Sequence, residues 1–463
     1  MWTKRAAVAA MAAGLLTASV ACGGGAASGS SGPAPTSRAI ATAGSSSGPA
    51  AAWPTYGGNL QRTGVASAAP AGPLSIAWRA HLDGAVYGQP LLIGNLVVAA
   101  TENDSLYGLD QATGHVVWRV NAGTPVPLAA LPCGDINPLG ITGTPAYDQA
   151  DGLVYAVAET AGYHHVLIGV SVANGTVKVE RDIPAPDGQP RYDQQRPGLA
   201  IEDGRVYVAF GGLDGDCGPY RGSVASIPLT GSGPIASYVV PTAREGAIWG
   251  TSGPAAGTDG TLYVSVGNGS VTSKSFDGSD SVTALSPALK RTGIFAPASW
   301  YQDSQDDLDL GSTQPALLSD GRIVADGKSG TAYLLSTGRL DGVGGQLAAE
   351  RVCPAYGAAA VDGTTVYEPC EQGGLAAIST AGDQIHVLWR GPANAFGSPV
   401  VGGGAVWVTD WDAGTLYQLS HATGAPSRTL GLGTALPHFA SMSMSGSHAY
   451  IGTDQGVTAV AGA

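Results

Sequence analysis

The sequence predicts an all-β fold: an eight-bladed β-propeller of four-stranded blades, its ring closed by an N-terminal strand. Three observations predict it. Glycine and proline supply 70 and 30 of the 463 residues, while charged residues are only 12%. That mixture suits many short strands and turns better than long helices. A strand-and-turn unit recurs along the chain with a period of propeller length. The last copy lacks an outer strand, and a spare strand lies ahead of the first copy.

The fullest copy reads "YGQPLLIGNLVVAATENDSLYGLDQATGHVVWRV", Tyr87 to Val120. It opens on G-x-P and continues into an apolar strand, a G-N turn and a second strand, "LVVAAT". "SLYGLD", the turn "QATG" and the outer strand "HVVWRV" follow. Gly, Asn and Asp occupy the turns, where positive φ is needed. Later copies start near "TGTPAYDQADGLVYAVAE", "RPGLAIEDGRVYVAF", "TSGPAAGTDGTLYVSVG", "STQPALLSDGRIVADG", "YGAAAVDGTTVYEPC" and "FGSPVVGGGAVWVTD". A last copy, "SMSMSGSHAYIGTDQGVTAVAG", ends the chain without an outer strand. Pro90, Pro145, Pro197, Pro254, Pro315 and Pro399 mark one point of six copies, in steps of 55, 52, 57, 61 and, across two copies, 84. The segment "LSIAWRAHL", Leu74 to Leu82, is expected to supply the missing strand and remove the open edges.

Ahead of the repeats, "MWTKR" and the apolar "AAVAAMAAGLLTASVA" form a basic n-region and an h-region too short to span a bilayer comfortably. Residues 1–21 are thus expected to be a signal peptide, and residues 22–52 a Gly/Ala/Ser/Pro tether. The folded propeller is expected over 53–463. "SVAC" resembles a bacterial lipoprotein cleavage site, which implies lipidation at Cys22, with Ser19 where Leu is preferred. Ordinary secretion with cleavage at an A-x-A-like site is the other reading. Both readings place the folded part outside the cytoplasm; the lipoprotein reading anchors it to the cell membrane. Disulfides persist there, and Cys133, Cys217, Cys353 and Cys370 admit three pairings. Cys133–Cys217 and Cys353–Cys370 are favoured because each would join neighbouring repeats. The formal net charge of −13 argues against nucleic acid as a partner. A monomer is expected.

Several chemistries are excluded by spacing. No CxxC or Cys/His pattern suits zinc, and no GxSxG elbow is present. "GKS" at Gly327 is not a phosphate loop, because Arg322 stands where the first Gly is needed. The acidic run "WYQDSQDDLDLG" fails as an EF-hand loop: counting from Asp303, position twelve is Gln314.

The "LYGLDQATGHVVW" unit resembles the tryptophan-type repeat of pyrroloquinoline quinone (PQQ) propellers. That repeat builds both quinoprotein dehydrogenases and non-enzymatic scaffold lipoproteins of the BamB type, so function must be read from the ring centre. The resemblance implies a set of site residues. "GAIWGTSGPAAGTDGTLYVSVGNGS" matches the segment with the quinone-stacking Trp and a metal-binding Asn, which gives Trp249 and Asn268. "GGLDGDCGPYRGSVASI" puts Asp216 where the metal-binding Glu stands. "WYQDSQDDLDLGSTQPALL" matches the stretch with the catalytic aspartate, best at Asp309 and next at Asp307. Asp309 would also be a metal ligand. "ADGKSGTAYLL" gives Lys328 as a quinone contact. Asp303 and Asp306 are expected to face water.

"LPCGDINPLG" departs from the family. Of the two adjacent cysteines that lid the quinone, Cys133 alone remains, with Gly134 beside it. Leu139 occupies the region of an Arg that would bind the quinone's carboxylates. The expected function is therefore a lipid-anchored envelope binding or scaffold protein with a degenerate axial quinone and metal site, working with envelope protein partners. The alternative is a PQQ- and Ca²⁺-dependent alcohol or aldose dehydrogenase with Asp309 as base.

Overall fold

Each repeat folds as one antiparallel blade. In the computed structural model, which describes residues 48–462 except Thr272, the first runs Leu91–Ile93, Leu96–Ala100, Ser105–Asp110 and Val116–Asn121 in spatial order. The expected leader, Cys22 and most of the tether lie outside the described residues. The three inner strands are buried along nearly their whole length, whereas the outer strand is mostly exposed. Inner strands are covered on both faces by neighbouring blades, so they read as continuous apolar runs. Leu91, Ile93, Val98 and Leu106 of blade one thus share a core with Val154, Ala156 and Ile168 of blade two.

The outer-strand tryptophan and the A-x-G turn turn out to be one device. Trp118 Nε1 donates to the Val172 carbonyl of blade two at 2.8 Å. Trp78 does the same to Gln111 of blade one at 3.1 Å, and Trp389 to His421 of blade seven at 3.0 Å. Each indole lies over a turn glycine at positive φ (Gly175, Gly114 and Gly424), where a Cβ would collide with the ring.

Eight such sheets make up the described fold. The ring closes as the sequence implied: Leu74–His81 pairs antiparallel with Gly456–Gly462 and becomes the outer strand of blade eight. Three additions were not foreseen. Ala51–Trp53 extends blade one at its inner edge, Asp193–Gln194 pairs antiparallel with the end of the second strand of blade three at Gly211 and Gly212, and Gly342–Val343 pairs parallel with the outer strand of blade four, Arg291–Ala296. The segment after Trp53 crosses the ring. Its backbone bonds Tyr147 of blade two, Ala256 of blade four, Val361 of blade six and Val401 of blade seven. Arg62, buried on this segment, donates to the Leu199 and Pro254 carbonyls. The axis is therefore plugged at the end where strands one and two turn. Both favoured disulfides form, Cys133–Cys217 and Cys353–Cys370.

Candidate functional site

The open end of the axis is built from blade-to-blade connections and from the loops between second and third strands. Such positions sit on rigid strands but are free to vary in chemistry. Asp309 lies on the connection into blade five, and Lys328 on the loop after that blade's second strand, Arg322–Ala325. Asn268 follows the second strand of blade four, Leu262–Val266, and Trp249 precedes that blade. Asp216 lies on the loop of blade three before Ser223–Pro228. All five line one cavity of about 430 Å³, within the range of small-ligand sites.

Asp309 is 3% exposed, and each of its side-chain oxygens has a partner. Its Oδ2 lies 2.6 Å from Lys328 Nζ, and its Oδ1 accepts the Asn268 backbone N–H at 2.6 Å. Its carbonyl accepts the Lys328 N–H at 2.8 Å. Gly267 and Gly327 make room for this fit, since a Cβ at either would collide with Asp309. Burial pushes the Asp309 carboxyl above its usual range, and the Lys328 charge pulls it back. Burial works against the Lys328 ammonium, but Asp309 and Asp307 more than offset it and hold the lysine above its usual value. Asp307 is outside the cavity lining; it is exposed, at positive φ, and bonds Lys328 from the solvent side at 2.8 Å.

The remaining expected residues divide. Asp216 Oδ1 accepts the Tyr220 hydroxyl at 2.5 Å. Cys133 does not line the cavity. Its bond to Cys217 instead staples the loop that carries Asp216 to the loop that carries Asp135, and both aspartates line the cavity. Leu139 is buried in a small apolar cluster with Val126, Ile136 and Leu213. One expectation is overturned. Asp303 does not face water: it is 7% exposed in the short helix Trp300–Gln305 and accepts the Ser299 hydroxyl at 2.6 Å. The helix turns it inward, and of the four aspartates of that run only Asp306 and Asp307 stay outside.

Several cavity residues were missed from the sequence, among them Asp135, Asp214, His438, Arg196, Tyr356 and Phe439. The Arg196 guanidinium lies 4.9 Å from the Phe439 ring centroid and 6.0 Å from that of Trp249. Its Nη2 is sealed from solvent without a hydrogen-bond partner among the described residues. Burial pushes this guanidinium down. Tyr356 and Phe439 lie parallel, 6.1 Å apart, and Trp249 tilts against both. Phe439 has φ +64°, a strained choice for a bulky residue. A signal for Arg196 existed. It immediately precedes the blade-opening Pro197, and the residues before Pro90, Pro145, Pro315 and Pro399 are buried polar groups near the axis: Gln89, Thr144, Gln314 and Ser398.

The lining holds four carboxylates (Asp135, Asp214, Asp216, Asp309) against two permanent cations (Arg196, Lys328), and Lys328 is already committed. A tricarboxylate quinone fits this lining poorly, because among the described residues Arg196 is its one arginine or lysine not already paired with a carboxylate. A divalent cation fits poorly as well: the Lys328 ammonium already satisfies Asp309. Among the described residues, no group of three or more His, Cys, Asp or Glu is arranged to hold a metal.

The family model described as outer membrane protein assembly factor BamB matches residues 60–212 and 251–430, well over half of the chain. Among solved structures, the quinohemoprotein alcohol dehydrogenase of Comamonas testosteroni superposes with a TM-score of 0.68 at 16% identity, over 88% of this chain and 80% of that one. BamB from Moraxella catarrhalis superposes at 0.59 and 15%, over 84% and 98%. A europium-containing methanol dehydrogenase superposes at 0.63 and 14%, over 86% and 88%. At these identities the likeness is one of fold. No curated protein sequence matches.

Proposed function

The chain belongs to this family of PQQ-like propeller repeats, and from that premise we propose that it is an extracytoplasmic binding or scaffold protein. Its axial quinone site has become a polar, aromatic-walled ligand pocket, and Cys22 anchors it to the envelope membrane. One observation carries the reading: Lys328 holds Asp309 at 2.6 Å and takes Asp307 on its other side. A base must be free to take a proton from substrate, and a metal ligand must be free to face its ion. Asp309 is committed on both oxygens. The use of Cys133 in a staple to Cys217 supports the same reading, since no disulfide of adjacent cysteines is left to cover a quinone.

Titration with PQQ and Ca²⁺ tests it. We expect no bound-quinone absorbance after reconstitution and no dye-linked oxidation of alcohols or aldoses. Stoichiometric quinone uptake with turnover that is abolished in Asp309→Asn would instead establish the dehydrogenase reading. Envelope partners are expected to copurify with the anchored chain.

A further inference from the structure

The cavity described above is charged in a way that names its ligand, provided that it is a binding pocket rather than an oxidoreductase centre. Beside the Lys328–Asp309 pair, its charged and aromatic groups fall into three sets. The first is one cation, Arg196, whose Nη2 is buried and unpartnered among the described residues. A guanidinium nitrogen sealed from water without a partner is costly, and a carboxylate is the group that the planar fork of this half-buried arginine fits best. The second set is the carboxylates at the rim, Asp214 and Asp216, together with Asp135, which lies 3.8 Å from His438. The third is the aromatic wall of Trp249, Tyr356 and Phe439.

A simple organic anion would satisfy Arg196 and be repelled by the aspartates. A simple amine would do the reverse. A ligand that carries both groups satisfies both, and an apolar side chain on it would lie against the rings. We infer that the axial cavity takes a small zwitterion: a free α-amino acid with an apolar side chain, its carboxylate on Arg196 and its ammonium toward Asp214 and Asp216. The cavity, about 430 Å³, leaves room for such a molecule and bridging waters.

Calorimetry on the full chain tests this with three probes: L-phenylalanine, phenethylamine (no carboxylate) and 3-phenylpropanoate (no ammonium). We expect saturable binding of L-phenylalanine, with each truncated probe weaker by at least about tenfold. Arg196→Gln should erase the preference over phenethylamine, and Arg196→Lys should restore part of it. Asp214→Asn should reduce the preference over 3-phenylpropanoate. Thermal melts of each variant establish that it is folded, and Arg196→Lys serves if Arg196→Gln is not. The inference is overturned if L-phenylalanine gives no saturable heat. It is equally overturned if L-phenylalanine and phenethylamine bind alike, or if the folded Arg196 variants keep the discrimination. PQQ is titrated in parallel. Failure of both ligands overturns the zwitterion alone, whereas quinone uptake with turnover overturns the binding-protein reading beneath it.

Discussion

The axial cavity and the wall between blades one and two both bury carboxylic acids on loops, Asp309 on the connection into blade five and Glu102 and Asp104 after the second strand of blade one, and they handle the charge in opposite ways. At the axis, Asp309 keeps an ammonium at 2.6 Å and a backbone N–H on its other oxygen, both of which favour the ionised form. In the wall, Glu102 is 2% exposed and, among the described residues, accepts only the Gly140 N–H at 2.8 Å and the Thr142 hydroxyl at 3.2 Å. Asp104 is fully buried, and neither carboxyl oxygen has a partner among the described residues. Burial pushes Glu102 and Asp104 up to about 8, and the nearby Glu159 adds to the shift in both. One region maintains a buried charge by pairing it; the other removes the charge by keeping the proton. Burial depth alone therefore does not identify a chemical site. The partner decides.

The largest effect that would break this contrast comes from Lys328→Met. It leaves Asp309 buried without its counter-ion and should cost about 3–5 kcal/mol at pH 7, read from urea denaturation. The loss should shrink toward pH 5 as Asp309 takes up a proton. A loss independent of pH would contradict the ion-pair account.

A smaller effect comes from pH on the unaltered protein. The folded-state values of Glu102 and Asp104 lie above their unfolded values, so the folded chain binds more protons between the two. Their contribution is fully present below about pH 4 and is lost as pH rises through about 8. The melting temperature should therefore fall from pH 5 to pH 9, and scanning calorimetry across that range checks it. The smallest effect is expected from Glu102→Gln, which mimics the protonated acid. Below pH 7 it should change stability by less than about 1 kcal/mol, and it should flatten the decline at high pH. A loss as large as that of Lys328→Met would mean that Glu102 is ionised and paired.

Most of the ring was legible in the sequence because its signals are local. Turn glycines and apolar strands recur in each copy and opening prolines in six, and the closing strand Leu74–His81 followed from counting strands in the last one. Ala51–Trp53 and Gly342–Val343 were not legible, since strands of two or three residues are fixed by the neighbour they meet rather than by their own pattern. At the site, the family motifs brought Asp216, Trp249, Asn268, Asp309 and Lys328 to one cavity. They gave no warning that Lys328 would bond the aspartates, because an ion pair across 19 positions leaves no local trace. Arg196 and Phe439 were missed for a related reason. They belong to connections whose only regular feature is a following strand, and the one useful clue was positional.

The pairing of Leu74–His81 with Gly456–Gly462 also sets an order of events in time. As the chain emerges from its N-terminus, the strand at residue 74 must wait for almost the whole polypeptide before its partner exists. Seven blades can stack meanwhile, but the assembly keeps two raw edges that are open to other chains. Completion is therefore a late, long-range and concerted step, and the interval before it is when this protein is most exposed to aggregation.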